Sequence, residues 1–294
     1  MLPMKMAVLC VFVYGKIYEY TKELEMLKIM GHRFQDDKNI AEFIGHAYEE
    51  YGEDAFRNLN GSFCLVISNM NNREVLVVTD MFGTRPIYYA FQNGELIFSS
   101  HSRAILHYPS FHKELNERTL VKFLMFGKIG ILGDETWFKG IKLMPPASIL
   151  KFDGINLIIK KYWDLEYHSE LKEREAVKAL TKRFVKAVNV RADSVSEGLC
   201  LMLSGSLDSR SVLAALNTRN LQKVTAVTFG TKNCDDIIIA KMVTKKLGVK
   251  HLVIEYDPDK LVRYAKDVVY LTEGQDTVNV AFIPYVAEKL GDGI

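Results

Sequence analysis

The chain has 294 residues, 48% of them hydrophobic and 25% charged, which are ordinary globular values and allow two domains with proper cores. A net charge of +2 and a pI near 8.2 give no electrostatic case for nucleic acid or an acidic membrane as partner. Four scattered cysteines form no CxxC pair; Cys10, Cys64 and Cys200 sit in apolar runs, which reads as reduced core thiols of a cytoplasmic protein.

Met6 to Val13 reads as a buried strand, too short to span a membrane, ending in a turn at Tyr14-Gly15-Lys16. Two helices follow. Thr21 to Met30 stops at Gly31, and a second runs from about Asn39 to Tyr51, burying Ile40, Phe43, Ile44 and Ala47 and stopping at Gly52. Strands are expected at Ser62 to Ser68, Val75 to Thr79, Pro86 to Phe91 and Glu95 to Ser99, joined by hairpin turns. Helices followed by a run of strands predict an α+β domain of layered sheets and helices over residues 1–165.

Over residues 170–294 the pattern changes. Lys172 to Ala192 reads as one amphipathic helix with Ala176, Leu180, Phe184 and Val188 on its apolar face. Strands at Leu199 to Leu203, Val224 to Phe229 and His251 to Glu255 alternate with helices from Leu207, from Asp235 to Leu247 (closed by Gly248), and from Asp257-Pro258-Asp259 to about Leu271. A last helix is expected over Val278 to Leu290. This alternation predicts an α/β domain with a doubly wound parallel sheet and a ligand crevice beyond the strand C-termini.

The segment Leu203-Ser204-Gly205-Ser206-Leu207-Asp208-Ser209 joins strand, small loop and helix. That layout aims backbone N–H groups and a helix N-terminus at an anion. No Lys follows, so it is not a Walker A loop. It suits the pyrophosphate end of ATP, with Asp208 placed to hold Mg²⁺. The alternative is a plain strand-to-helix turn capped by Ser204 or Ser206. Phe229 and Gly230 lie at a second strand end facing the same crevice; a strand Phe is by default core. Asp236 opens the next helix, where an acid is also favoured by the helix dipole.

Ser204 to Ser209 resembles the SGGxDS motif of PP-loop ATP pyrophosphatases of the asparagine synthetase branch, with Ser206 in place of the second Gly. Upstream, Tyr14-Gly15-Lys16-Ile17-Tyr18-Glu19-Tyr20 with Leu24, Gly31-His32 and Phe34 resembles the NGEIYNY…L…GH.F segment of class II glutamine amidotransferase domains. Tyr48-Glu49-Glu50-Tyr51-Gly52 with Leu59-Asn60-Gly61-Ser62-Phe63 resembles YEEYG…LNGMFAF. Asp80, Phe82-Gly83, Arg85-Pro86 and Tyr88-Tyr89 resemble DRFGIKPLYY, and Trp137 to Ile141 with Tyr162-Trp163-Asp164 resembles the end of that domain.

The resemblance implies an N-terminal-nucleophile-type domain followed by a PP-loop synthetase domain. It implies ATP and Mg²⁺ as cofactors, with Leu203, Ser204, Gly205, Ser206, Asp208, Ser209, Phe229, Gly230 and Asp236 lining the nucleotide site and Asp208 at the metal. In the family the aspartate β-carboxylate attacks the α-phosphate of ATP, pyrophosphate leaves, and ammonia converts the acyl-adenylate to asparagine. Departures point to a lost glutaminase. The family's N-terminal Cys nucleophile has no counterpart, the chain beginning Met1-Leu2-Pro3, and Tyr14 replaces the oxyanion-hole Asn. Ile40 stands where the family holds the substrate amino group with Asp. The chain ends at Ile294, before the family's SGEGxDE segment, so it reads as trimmed at both ends. Two readings stand. One is an ATP-dependent amide ligase, asparagine synthetase-like or β-lactam synthetase-like, acting as a homodimer or completed by a second polypeptide. The other is a non-catalytic remnant or nucleotide-binding regulatory subunit.

Overall fold

A computed structural model describes residues 9–127, 133–167, 171–196 and 198–291. Residues 6–8 of the first expected strand, and the two chain ends on which the trimming was read, lie outside these. The chain divides into two compact units, Met1–Tyr167 and His168–Ile294. No helix among the described residues is long and apolar enough to cross a membrane.

In chain order the first unit contains β1 (Leu9–Tyr18), α1 (Thr21–Ile29), α2 (Ile40–Tyr51), a 3₁₀ turn at Gly52–Asn58, β2 (Asn60–Asn69), β3 (Glu74–Thr79), β4 (Tyr88–Gln92) and β5 (Glu95–Ser99). Then come α3 (Ser102–Leu106), α4 (Glu117–Phe126), β6 (Lys142–Leu143), β7 (Ser148–Phe152) and β8 (Leu157–Lys161). Two antiparallel sheets result, ordered β1-β2-β3-β7-β8 and β5-β4-β6. Because side chains alternate across a strand, each sheet has two apolar faces to cover. Phe63, Leu65 and Ile67 of β2, with Leu76 and Val78 of β3, pack on Leu24, Leu27, Phe43, Ile44 and Ala47 of α1 and α2. Their neighbours Cys64, Val66, Val75 and Val77 turn to the other side and meet Tyr89 and Phe98 of the small sheet. Tyr88 and Ala90, on the far face of β4, pack on Ile105 of α3. The layers run helix, sheet, sheet, helix, as the α+β reading requires.

Several details depart from the sequence reading. Tyr14-Gly15-Lys16 is not a turn but the interior of β1, paired with Cys64, Phe63 and Ser62. Gly15 has φ +128°, and a Cβ there would lie 2.0 Å from the Ser62 carbonyl oxygen, so the strand continues only because residue 15 is glycine. β1 is an edge strand whose second face is uncovered. Cys10 is therefore exposed and Phe12 is 65% accessible, where a buried strand was expected. Cys200 is also exposed; of the four thiols Cys64 alone is buried, and burial pushes its pKa up to about 12.

The second unit contains α5 (Glu173–Asp193), β9 (Leu199–Met202), α6 (Leu207–Ala215), α7 (Thr218–Leu221), β10 (Val224–Gly230), α8 (Asp235–Leu247), β11 (Lys250–Glu255), α9 (Pro258–Leu261), α10 (Ala265–Thr272) and α11 (Phe282–Leu290). Its three strands are parallel in the order β11-β10-β9. Leu199, Leu201, Leu203, Val224 and Ala226 form one face and pack on Leu213 of α6 and Ala240 of α8. Phe229 faces the other way and stacks on Phe282 of α11, which brings a helix to that face at β10, while Cys200 and Met202 of β9 stay exposed there. α8 begins and ends where its sequence signals place it, with Gly248 at φ +68° closing the C-terminus. The helix expected from Asp257 to Leu271 is broken by a 3₁₀ turn at Val262–Tyr264, and a 3₁₀ turn at Val278–Val280 precedes α11. The apolar stripe of α5 is not core: Leu180 is 68% and Phe184 39% exposed.

Candidate functional site

The loop between β9 and α6 is anchored from below before it can hold anything above. Leu203, 2% exposed, donates its N–H to the Val227 carbonyl at 2.8 Å, and its own carbonyl accepts the Thr228 hydroxyl at 2.7 Å. That hydroxyl has one proton, so it must accept from His251 Nε2–H, 2.7 Å away. The tautomer is thereby fixed, and His251 Nδ1 lies 3.1 Å from the Thr244 hydroxyl, whose single proton it shares with the Ala240 carbonyl 2.8 Å away. Burial first, and Lys241 second, hold the His251 pKa below its ordinary value, consistent with a neutral ring. His251 thus ties β10, β11 and α8 beneath the loop, a structural role.

Ser204, Gly205 and Ser206 follow. Ser204 N–H donates to Ser209 Oγ at 3.0 Å, and the Ser204 and Ser209 hydroxyls lie 2.9 Å apart. Ser206 N–H donates to Ser204 Oγ at 3.2 Å, and the two hydroxyls are 2.7 Å apart. Ser206 stands at the N-cap of α6 but its side chain makes no cap hydrogen bond, so the capping alternative fails there. Its φ of −71° and ψ of 161° are ordinary for any L-residue. A serine therefore fits the position without strain. Arg210 Nε donates to the Ser206 carbonyl at 3.1 Å, bringing a cation beside the loop.

Gly205 makes the telling contact. Its N–H donates to Asp236 Oδ1 at 2.6 Å. A Cβ at residue 205 would come within 3.0–3.2 Å of Ile239 and Asp236, so the loop runs close against α8 and a larger residue would push these neighbours back. An exposed carboxylate from the first turn of α8 thus sits on the loop amide that the strand-loop-helix layout aims at an anion. Asp208 lies exposed on the first turn of α6. Gly230 ends β10, and a Cβ there would collide with Cys234 Sγ at 2.5 Å. Phe229 has one ring face occupied by Phe282, centroids 4.8 Å apart, so it is part of the packing between β10 and α11. The structure thus joins Ser204, Gly205, Ser206, Ser209 and Asp236 in one hydrogen-bonded group, sets Asp208 beside it, and turns Phe229 to the opposite sheet face. Arg210 and the Thr228 and Thr244 partners of His251 escaped the sequence reading. A basic residue one position after the motif was the available signal for Arg210; a tie across three elements leaves none.

The first unit carries a second candidate region around Tyr14 and Gly15. Tyr14 is 46% exposed with the Arg85 guanidinium 5.2 Å from its ring centroid. Beneath it Asp80, 2% exposed, accepts the N–H of Phe63 at 3.0 Å, of Phe82 at 2.9 Å and of Thr84 at 3.2 Å, and the Thr84 hydroxyl at 2.5 Å. Ile40 opens α2 and packs against the helix-sheet core, with Asn39 as the N-cap.

Both regions fall within segments that family profiles match. A glutamine amidotransferase domain profile matches residues 2–163, and an asparagine synthase profile matches residues 179–287. An asparagine synthetase (glutamine-hydrolyzing) 3 of Bacillus subtilis strain 168 is 26% identical over 200 residues, covering 68% of this chain and 32% of that protein. Asparagine synthetase (glutamine-hydrolyzing) 2 of Oryza sativa subsp. japonica is 25% identical, covering 92% of this chain and 42% of that one. Amidase chyE of Penicillium rubens is 25% identical, covering 79% and 37%. The chain therefore spans about a third to under half the length of these relatives. Among solved structures, a B. subtilis glutamine phosphoribosylpyrophosphate amidotransferase shares 10% identity at a TM-score of 0.39, covering 85% of this chain and 71% of that one.

Proposed function

The chain belongs to the asparagine synthetase family, joining a glutamine amidotransferase segment to an asparagine synthase segment, and from that premise we propose an amide-forming ligase chain that binds ATP in its second unit and hydrolyses no glutamine in its first. One observation carries the nucleotide half: Gly205 N–H holds an anionic oxygen, Asp236 Oδ1, at 2.6 Å. The donor set fits a phosphate, because the loop already accommodates a carboxylate oxygen at the same amide. ATP would be held by the Ser204–Ser206 backbone and the Ser204 hydroxyl, with Arg210 alongside and Mg²⁺ on Asp208. When bound, ATP with its Mg²⁺ would supply the adenylyl group that activates a carboxylate such as that of aspartate, with pyrophosphate leaving and ammonia as the acyl acceptor. The chain's own part is positional. Ser209 clamps Ser204, Arg210 steadies Ser206, and Asp236 leaves Gly205 to admit the ligand.

The glutaminase half rests on Tyr14 and Ile40. A phenol ring under Arg85 replaces the side-chain amide donor, and losing one oxyanion donor costs about 10²–10³ in rate. Ile40 presents an apolar side chain to the core where a carboxylate would be needed. Glutamine should therefore release no ammonia above a heat-inactivated control. Calorimetry with Mg·ATP tests the other half. Asp208→Ala should weaken binding about tenfold or more at an unchanged melting temperature, and equal affinity would remove Asp208 from the site.

A second reading, a binding subunit without chemistry, draws on the same loop, since the N–H groups of Ser204, Gly205 and Ser206 all have partners within the unit. Aspartate-dependent exchange of labelled pyrophosphate into ATP separates the two, as only the ligase supports it. The exposed Leu180, Phe184 and Ile283 support association with another copy or a second polypeptide, for which sedimentation at micromolar concentration is the measure.

A further inference from the structure

We propose that the first unit carries a divalent transition-metal site formed by His32, His46 and Glu49, with Zn²⁺ as the fitting ion. His32 Nδ1 and His46 Nδ1 lie 3.1 Å apart, His46 Nδ1 and Glu49 Oε2 3.0 Å, and His32 Nδ1 and Glu49 Oε2 3.9 Å. A tetrahedron with metal–ligand bonds of about 2.0–2.1 Å has edges of about 3.4 Å, close to the mean of these separations. Two imidazoles and one carboxylate are a borderline donor set that suits Zn²⁺, and three protein ligands leave a fourth position open.

The backbone builds this convergence. α1 ends at Ile29, Gly31 takes φ +104°, and His32 N–H bonds back to the Leu27 carbonyl at 3.0 Å, which fixes His32 just past the helix end. His46 and Glu49 stand three residues apart on α2 and so share one face. Phe34 closes the side of the group, edge-on to the His46 ring at 4.8 Å, and the side chains of His32 and His46 are 13% and 21% exposed.

Proton accounting supports a cation at the centre. His32 Nε2 is 3.1 Å from Glu50 Oε2, an acceptor, so a neutral His32 carries its proton on Nε2 and turns a bare Nδ1 lone pair inward. The inward atoms are then that lone pair, a carboxylate oxygen and His46 Nδ1. One His46 proton can serve Glu49 or His32 well but not both; a divalent ion serves all three. A carboxylate on the outer nitrogen of a ligating histidine is also the usual support of such a site, which gives Glu50 its place.

The test uses the full chain without a histidine tag, stripped by EDTA and titrated calorimetrically with Zn²⁺ at neutral pH. One equivalent should bind and raise the melting temperature. His32→Ala, His46→Ala and Glu49→Gln should each weaken binding at least about tenfold, and Glu50→Gln about tenfold through the histidine it orients. Co²⁺ should give a visible d–d absorption that the same variants lose. Glu49→Gln, nearly isosteric at a part-exposed position, keeps the test decisive if a histidine variant fails to fold. No saturable uptake at ~100 μM Zn²⁺, or equal affinity in wild type and Glu49→Gln, would overturn the site.

Discussion

Asp80 and Asp236 each hold backbone N–H groups of a tight loop, under opposite conditions. Asp80 is 2% exposed and takes amides from Phe63, Phe82 and Thr84 at 2.9–3.2 Å. Asp236 is exposed and takes one, from Gly205. With water excluded, a carboxylate bonded to several amides is a fixture, since losing it strands buried donors. With water present, one carboxylate on one amide can be exchanged for another anion. The difference separates a turn whose acceptor is locked in from a loop whose amide stays open to exchange.

The sharpest attempt to break this contrast is Asp80→Ala. It leaves three amides without their acceptor and should cost about 3–5 kcal/mol, read as a lowered urea midpoint. A loss below about 1 kcal/mol would mean that water reaches the turn. Next comes Asp236→Ala, which frees the Gly205 amide. Inorganic pyrophosphate without Mg²⁺ should then bind a few-fold tighter by calorimetry. Weaker binding would show that Asp236 helps hold the ligand instead of standing in for it. The smallest effect belongs to Ser206→Gly. Because Ser206 has φ −71°, removing its side chain relieves no strain, and Mg·ATP affinity should stay within about twofold. A tenfold gain would show that the serine hydroxyl obstructs the ligand.

Much of this was readable from residues. Asp235-Asp236 and Gly248 marked α8 to the residue, and the strands expected at Ser62 to Ser68 and Val75 to Thr79 fall within β2 and β3. Sequence signals failed where neighbours decide. Gly15 looked like a turn because nothing local says that Ser62 lies against it. Cys10 looked buried because an apolar run does not say that its strand is an edge. At the site, the loop and Asp208 were visible in the motif. Asp236 was visible only as a helix-opening acid, since its contact with Gly205 spans 31 positions. The break at Val262–Tyr264 has no Gly or Pro to announce it.

The Thr228–His251–Thr244 tie gives the second unit an acid limit. His251 is held neutral in the fold, its pKa depressed by burial, whereas in the unfolded chain it protonates near its ordinary value of about 6.5. Over that interval the unfolded state binds more protons, so stability is complete above about pH 6.5 and declines as pH falls through the folded value. A protonated ring would carry a second N–H toward the Thr244 hydroxyl, whose proton must then turn to the Ala240 carbonyl 2.8 Å away. Mild acid should therefore loosen α8 from β11 first, and amide exchange in α8 around Thr244 should quicken before that in β2. His251→Gln, which cannot protonate, should remove the dependence.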